Sequence, residues 1–338
     1  MREEASLKEW GSLYEAATKL KEKQPWEKFW DMDLIGIQEG EKEDTVFFSI
    51  LGRGDSCYGI VAYEGYSGLN DFMMLATADT LNLSTEYTMF SQDNLTCYWG
   101  NRQELTAKQR ETIKQLGYKY RGKNQWLYFL SYAAGYFPYN LDRPQVLRMT
   151  EYFARLLEAL EYYESSQMTV NFSAANMFLY KKDQETGQWK GSEAPLPFTS
   201  YRYEKLTVTN QELEKELNSA SKNEIILEAD MQYLGASVQD KKYDRPGNPC
   251  ICIVGEAGSG LIMSAELTEP EEDPGIKLAQ VLASMILTHG APREVHVTNV
   301  ITAAVLEDIC AMSNTELKVV SSLESIDESI ISRFRGGF

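Results

Sequence analysis

The chain has 338 residues, 43% of them hydrophobic and 25% charged, with a formal net charge of −17. That length fits about two domains of ordinary globular composition, and the 20 tyrosines exclude a disordered chain. The acidic balance works against wrapping nucleic acid, which needs a basic stripe, and against anionic membrane surfaces.

The first element is a helix from Leu7 to Lys23, because Leu7, Trp10, Leu13, Ala17 and Leu20 recur on one face and Pro25 ends it. Trp26, Phe29 and Trp30 are expected to dock it on a sheet. Strand patterns come next at Asp33–Ile37, Val46–Leu51 and Cys57–Tyr63, separated by Gly40 and Gly52-Arg53-Gly54-Asp55. A helix after Gly68 runs through Phe72–Ala78, and a strand covers Leu95–Trp99. The next helix opens at Thr106 and stops at Gly117, and a strand covers Gln125–Tyr132. A long helix begins after Asp142-Arg143-Pro144, with Val146, Met149, Phe153, Leu156, Leu157 and Leu160 on one face. Met177–Lys181 turns through Glu185-Thr186-Gly187 to Trp189 as a hairpin, and Pro195 and Pro197 then break regular structure. Tyr201–Val208 reads as a strand and Gln211–Leu217 as a short acidic helix.

The second half predicts strands at Glu224–Met231, Cys250–Val254 and Leu261–Leu267, then a helix at Pro274–Thr288. A strand at Glu294–Val297, a helix at Ala303–Met312, a strand at Leu317–Val320 and a helix at Ser325–Phe334 complete it. The fold class is therefore α/β (α+β) with two mixed-sheet domains, residues 1–208 and 209–338, the second in the order β-β-β-α-β-α-β-α. The first half can be read in the same order, which raises the expectation of a duplicated topology.

Chemistry-bearing residues are few. Gly255-Glu256-Ala257-Gly258-Ser259-Gly260 joins two strands instead of leading from strand to helix, so it reads as a hairpin turn and not a phosphate loop. The chain has two histidines, His289 at a helix end and His296 in a strand, which leaves little for a Ser-His-Asp or Cys-His arrangement. Cys250-Ile251-Cys252 lacks zinc spacing and has no partner pair. No metal ligand set or cofactor is expected. The five cysteines form no framework, and the N-terminus carries no apolar signal core, so the expected compartment is the cytoplasm, with the sequons at Asn82, Asn94 and Asn171 unglycosylated. No apolar run reaches bilayer-spanning length.

Tyr118-Lys119-Tyr120-Arg121-Gly122-Lys123, with Trp126 just beyond, interleaves basic and aromatic side chains. Tyr120, Arg121, Lys123 and Trp126 form the candidate binding surface, suited to a protein partner. The plainer reading is an aromatic core with solvated Lys and Arg, and the net charge disfavours nucleic acid.

The segment Cys250–Val320 runs strand, glycine turn, returning strand, helix, then Gly290-Ala291-Pro292-Arg293-Glu294-Val295 into the next strand. In this rhythm it resembles the ribonuclease H-like core of integrases and transposases. Such enzymes hold two metal ions with acids at strand ends. The resemblance puts Asp230 in the place of the first acid and Asn299, after Val297-Thr298, in that of the second; Glu307 and Asp308 lie on the next helix. A neutral Asn leaves such a site incomplete. Residues 221–338 carry 9 Lys and Arg against 18 Asp and Glu, the wrong balance for a nuclease platform. The reading is a non-catalytic binding or regulatory protein. Its alternative is a metal-dependent phosphodiester hydrolase using Mg²⁺ or Mn²⁺ at Asp230, Asn299 and Glu307.

Further stretches are similar to an uncharacterised bacterial family of Firmicutes type made of two domains of unknown function. They include Tyr63-Glu64-Gly65-Tyr66-Ser67-Gly68-Leu69, Gly135-Tyr136-Phe137-Pro138, Glu228-Ala229-Asp230 and Arg245-Pro246 through Leu261. That family implies no activity, substrate or cofactor.

Overall fold

The computed structural model describes residues 2–197, 205–326, 331 and 334. In chain order the elements are α1 (Leu7–Lys23), β1 (Ile35–Gln38), β2 (Val46–Leu51), β3 (Tyr58–Glu64), α2 (Gly65–Ala76), α3 (Thr85–Phe90), β4 (Asn94–Gly100), α4 (Ala107–Gln115), β5 (Trp126–Tyr132), α5 (Arg143–Ser165), β6 (Asn176–Lys182) and β7 (Trp189–Pro195). They continue with α6 (Gln211–Asn218), β8 (Ile226–Tyr233), β9 (Cys250–Glu256), β10 (Leu261–Leu267), α7 (Pro274–His289), β11 (Glu294–Val297), α8 (Val300–Met312) and β12 (Glu316–Val319). The mixed α/β class with two mixed sheets is as the sequence predicts.

The chain divides into two compact units. Unit 1 holds residues 1–76, 92–133 and 138–199; unit 2 holds 77–91, 134–137 and 200–338. Residues 77–91, 134–137 and 200–208, all inside the first 208, thus belong with unit 2.

Unit 1 is built on a sheet in the order β5-β4-β3-β2-β1-β6-β7, antiparallel except for the β1–β6 pair. Helix α1 starts at a capping box in which Ser6 and Glu9 satisfy each other's backbone N–H. It ends where Gln24 turns left-handed before Pro25. Its buried stripe of Trp10, Leu13, Tyr14, Ala17 and Leu20 meets the stripe of α5 over one sheet face. Helix α2 covers the other face, placing Leu69 and Phe72 against Phe47, Val61 and Tyr63. Alternation along β2 produces this split: Phe48 and Ile50 point to one core and Phe47 to the other.

Unit 2 has the sheet order β10-β9-β8-β11-β12, with β8–β9 and β9–β10 antiparallel and β8–β11 and β11–β12 parallel. Counted along the chain this is 3-2-1-4-5. The glycine-rich segment is a hairpin turn between β9 and β10, with Gly258 and Gly260 at positive φ. Leu227, Ala229 and Met231 of β8 join Cys250, Cys252 and Val254 of β9 under α7 and α8. The opposite face carries Glu228, Asp230 and Gln232 by the same alternation, beside Ile251 and Ile253, which pack with Leu323, Ile326 and Ile331.

Three expectations are corrected. The two sheets are not copies of one topology. Both contain three antiparallel strands and then a parallel fourth, but β7 returns antiparallel to β6 where β12 runs parallel to β11, and β4 and β5 extend the first sheet only. Residues 205–208 are irregular instead of strand, and Tyr201–Glu204 lie outside the described residues. Helix α8 starts at Val300, three residues before the expected Ala303. Most of the expected helix at Ser325–Phe334 lies outside the described residues.

Candidate functional site

The aromatic–basic strip is bound up with its own packing. Tyr120 stacks on Tyr118 at 5.5 Å between ring centroids, and Tyr118 stacks on Tyr14 of α1 at 5.6 Å. Trp126 sets its edge against Tyr120 at 6.0 Å, with the Arg102 guanidinium 5.8 Å from its ring centroid. Arg121 and Lys123 are exposed. The rings therefore brace α1 against the sheet, while the two cations stay in water.

A second candidate lies within unit 2, where the parallel strands β8 and β11 end. A cleft of about 400 Å³ opens there, lined by side chains from both faces of the sheet. Asp230, Met231 and Gln232 of β8 and Thr298 and Asn299 beyond β11 line one side. The carboxyl ends of strands beside a change of strand direction are where α/β sheets hold ligands.

Each wall has a local cause. Helix α8 begins at Asn299 because its Oδ1 accepts from the Thr302 backbone N–H at 2.9 Å and from the Thr302 hydroxyl at 3.1 Å. Asp230 is 6% exposed. Its Oδ1 accepts from the Met231 backbone N–H at 2.9 Å, and its Oδ2 accepts from Gln232 Nε2 at 2.7 Å. Burial, against those two hydrogen bonds, pushes its carboxyl up to about 6. A third wall, Ser322, Leu323 and Ile326, is fixed by Glu228. That buried carboxylate accepts from the backbone N–H groups of Glu324 (2.8 Å) and Ser325 (2.6 Å) and from the Ser325 hydroxyl. Gly255, paired across from Glu228, leaves the space: a Cβ there would stand 2.4 Å from Ser325 Oγ. The fourth wall comes from 77–91, where Asn82 Nδ2 donates to the Thr298 carbonyl at 3.0 Å and Ser84 caps α3.

Two of the three acid-site candidates thus meet and the third does not. Asp230 and Asn299 share the cleft; Glu307 is absent from its lining. Eight residues beyond Asn299 at about 1.5 Å each, Glu307 sits roughly 12 Å along α8, paired with Lys205 at 2.5 Å. Asp308 accepts from the Val208 backbone N–H at 3.0 Å. A two-metal centre does not fit the donors among the described residues, which offer the cleft one carboxylate and an amide oxygen already engaged by Thr302. Among the described residues no three His, Cys, Asp or Glu side chains gather for a metal. His296 instead bonds Glu294 at 2.8 Å, and Cys250 and Cys252 are buried in the core.

Sequence reasoning missed Asn82, Ser84 and the 322–326 wall. Its available signal was Glu228, a carboxylate within an apolar strand, which requires a buried partner.

No helix among the described residues is long and apolar enough to cross a membrane. No curated protein and no solved structure matches the chain. Residues 213–332 match the domain of unknown function DUF6930, so the cleft's sheet lies inside that match. Residues 10–181, just over half of the chain, match the domain of unknown function DUF7309, and the chain therefore belongs to the DUF7309 family, with a DUF6930 domain after it.

Proposed function

We propose that the chain is a non-catalytic binding or regulatory protein whose second unit is a ribonuclease H-like platform with its metal corner converted into a ligand cleft. The strand order 3-2-1-4-5, with three antiparallel strands and two parallel ones, supports the platform. The observation that carries the reading is the engagement of Asn299. Its oxygen holds the first turn of α8 through Thr302, and among the described residues Asp230 is left as the one carboxylate lining the cleft. A two-metal hydrolase needs several anionic oxygens to hold its cations.

The buried thiols of Cys97, Cys250, Cys252 and Cys310, none of them bridged, favour a reducing bacterial cytoplasm as the place of action. Arg121 and Lys123 are the part of the aromatic–basic strip open to a protein partner. Nucleic acid is disfavoured by the charge balance of 221–338.

The test is hydrolysis of bis(p-nitrophenyl) phosphate with Mn²⁺ or Mg²⁺ by the whole chain and by Asp230→Ala. Both are expected to stay at the metal-only background. Turnover by the natural chain that Asp230→Ala abolishes would establish the hydrolase instead.

A further inference from the structure

The cleft of unit 2 offers an unusual set of unspent hydrogen-bonding capacity. Asp230 gives each carboxylate oxygen to one protein donor, and each oxygen keeps room for a second. None of the described residues lining the cleft is Lys, Arg or His, so no side-chain cation neutralises it. Asn299 is 8% exposed and uses only its oxygen; among the described residues no acceptor is bonded to its Nδ2. That NH₂ faces the open cleft, where water or the acceptor of an entering ligand can take its hydrogens.

The two groups are neighbours by register. His296 pairs with Glu228 in the parallel β8–β11 ladder, which sets Thr298 level with Asp230 and Asn299 one residue beyond. Adjacent strands lie about 4.8 Å apart. A double acceptor and a donor therefore enter one cleft from adjacent strands. Leu83, Met231 and Leu323 add apolar wall, and about 400 Å³ is within the usual range for small-molecule sites.

Building on the reading of the cleft as a binding site, we propose that it takes a guanine-type base. The two adjacent N–H groups of the base donate to the two oxygens of Asp230, and its ring carbonyl accepts from Asn299 Nδ2. Adenine would turn a ring-nitrogen lone pair toward the carboxylate, a repulsive pairing. The ionised form of Asp230 supplies both acceptors, so affinity falls as pH drops through about 6.

The test is calorimetric titration of the full chain with guanosine, inosine and adenosine at pH 7.5, with ¹⁵N resonance mapping of the cleft. Guanosine should bind and perturb Asp230, Thr298 and Asn299. Inosine, lacking the exocyclic amine, should bind at least tenfold more weakly, and adenosine should not bind. Asp230→Asn, checked for folding by its melting curve, should weaken guanosine at least tenfold. Equal binding of guanosine and adenosine, or full guanosine affinity in Asp230→Asn, overturns the proposal. If guanosine fails while other polar fragments perturb the same resonances, the base assignment falls and the binding site stands. If no compound of a fragment set perturbs them, both fall.

Discussion

Asn299 Oδ1 accepts two hydrogen bonds from one residue, Thr302, through its backbone N–H at 2.9 Å and its hydroxyl at 3.1 Å. This is an N-cap, and it fixes where α8 starts and what the cleft can present. Asn299→Ala should destabilise the protein by about 1 kcal/mol, the usual worth of such a cap. Asn299→Asp, an equally good cap at the positive end of the helix dipole, should stay within about 0.5 kcal/mol of its parent when both carry Asp230→Asn, which removes the like charge in the cleft. Urea denaturation of both variants checks the difference. Equal loss in the two would remove the cap from the account.

Asp230 predicts a pH-dependent stability. Its folded carboxyl titrates at about 6, against about 3.9 in an unfolded chain. Between those values the folded state holds a proton that the unfolded chain has released, so stability falls as pH rises from about 4 to about 6 and then levels off. Asp230→Asn removes that titration. It should gain about 2–3 kcal/mol over the natural protein at pH 8 and nothing at pH 3.5. Melting curves at the two pH values measure this. A variant no more stable at pH 8 would mean the carboxylate is not held at such a cost.

Glu228 should act as the latch of the 322–326 wall. Its carboxylate accepts three hydrogen bonds from Glu324 and Ser325. Gln at this position turns a donor toward one of those N–H groups, a loss of about 2–3 kcal/mol for a buried charge-assisted pairing. Hydrogen exchange of residues 323–326 should accelerate in Glu228→Gln, with the amides of β9 retaining their protection. Unchanged exchange at Ser325 would show that the wall is held by Leu323 and Ile326 alone.

In unit 1 the strip residues should separate by role. Trp126 packs on Tyr120 beside Arg102, so Trp126→Ala should cost about 2 kcal/mol or more. Arg121→Ala and Lys123→Ala, both at exposed positions, should stay within about 0.5 kcal/mol. Chemical denaturation distinguishes them. A large loss at Arg121 would place it in the framework and not on the surface.

The sequence made the frame legible where periodicity was strong. The stripes of α1 and α5 and the hairpins of β6–β7 and β9–β10 stand close to where their patterns put them. The start of α8 was placed three residues late because Val300, Ile301 and Thr302 are β-branched and weak helix formers; the Asn299 cap overrides that preference. Helix α3 went unseen because six residues are too few for a helical period to register. Asp230 and Asn299 emerged together from strand rhythm. Asn82, Ser84 and Ser322 did not, since tertiary packing brings them to the cleft from stretches distant from Asp230 along the chain.

The most direct measurement is calorimetric titration of Mn²⁺ into the natural chain and into Asn299→Asp, which adds a second carboxylate to the cleft that Asp230 lines. The account predicts no binding by the natural chain at millimolar metal and measurable binding by Asn299→Asp, lost again when Asp230→Asn is added. Binding by the natural chain that depends on Asp230 would contradict it.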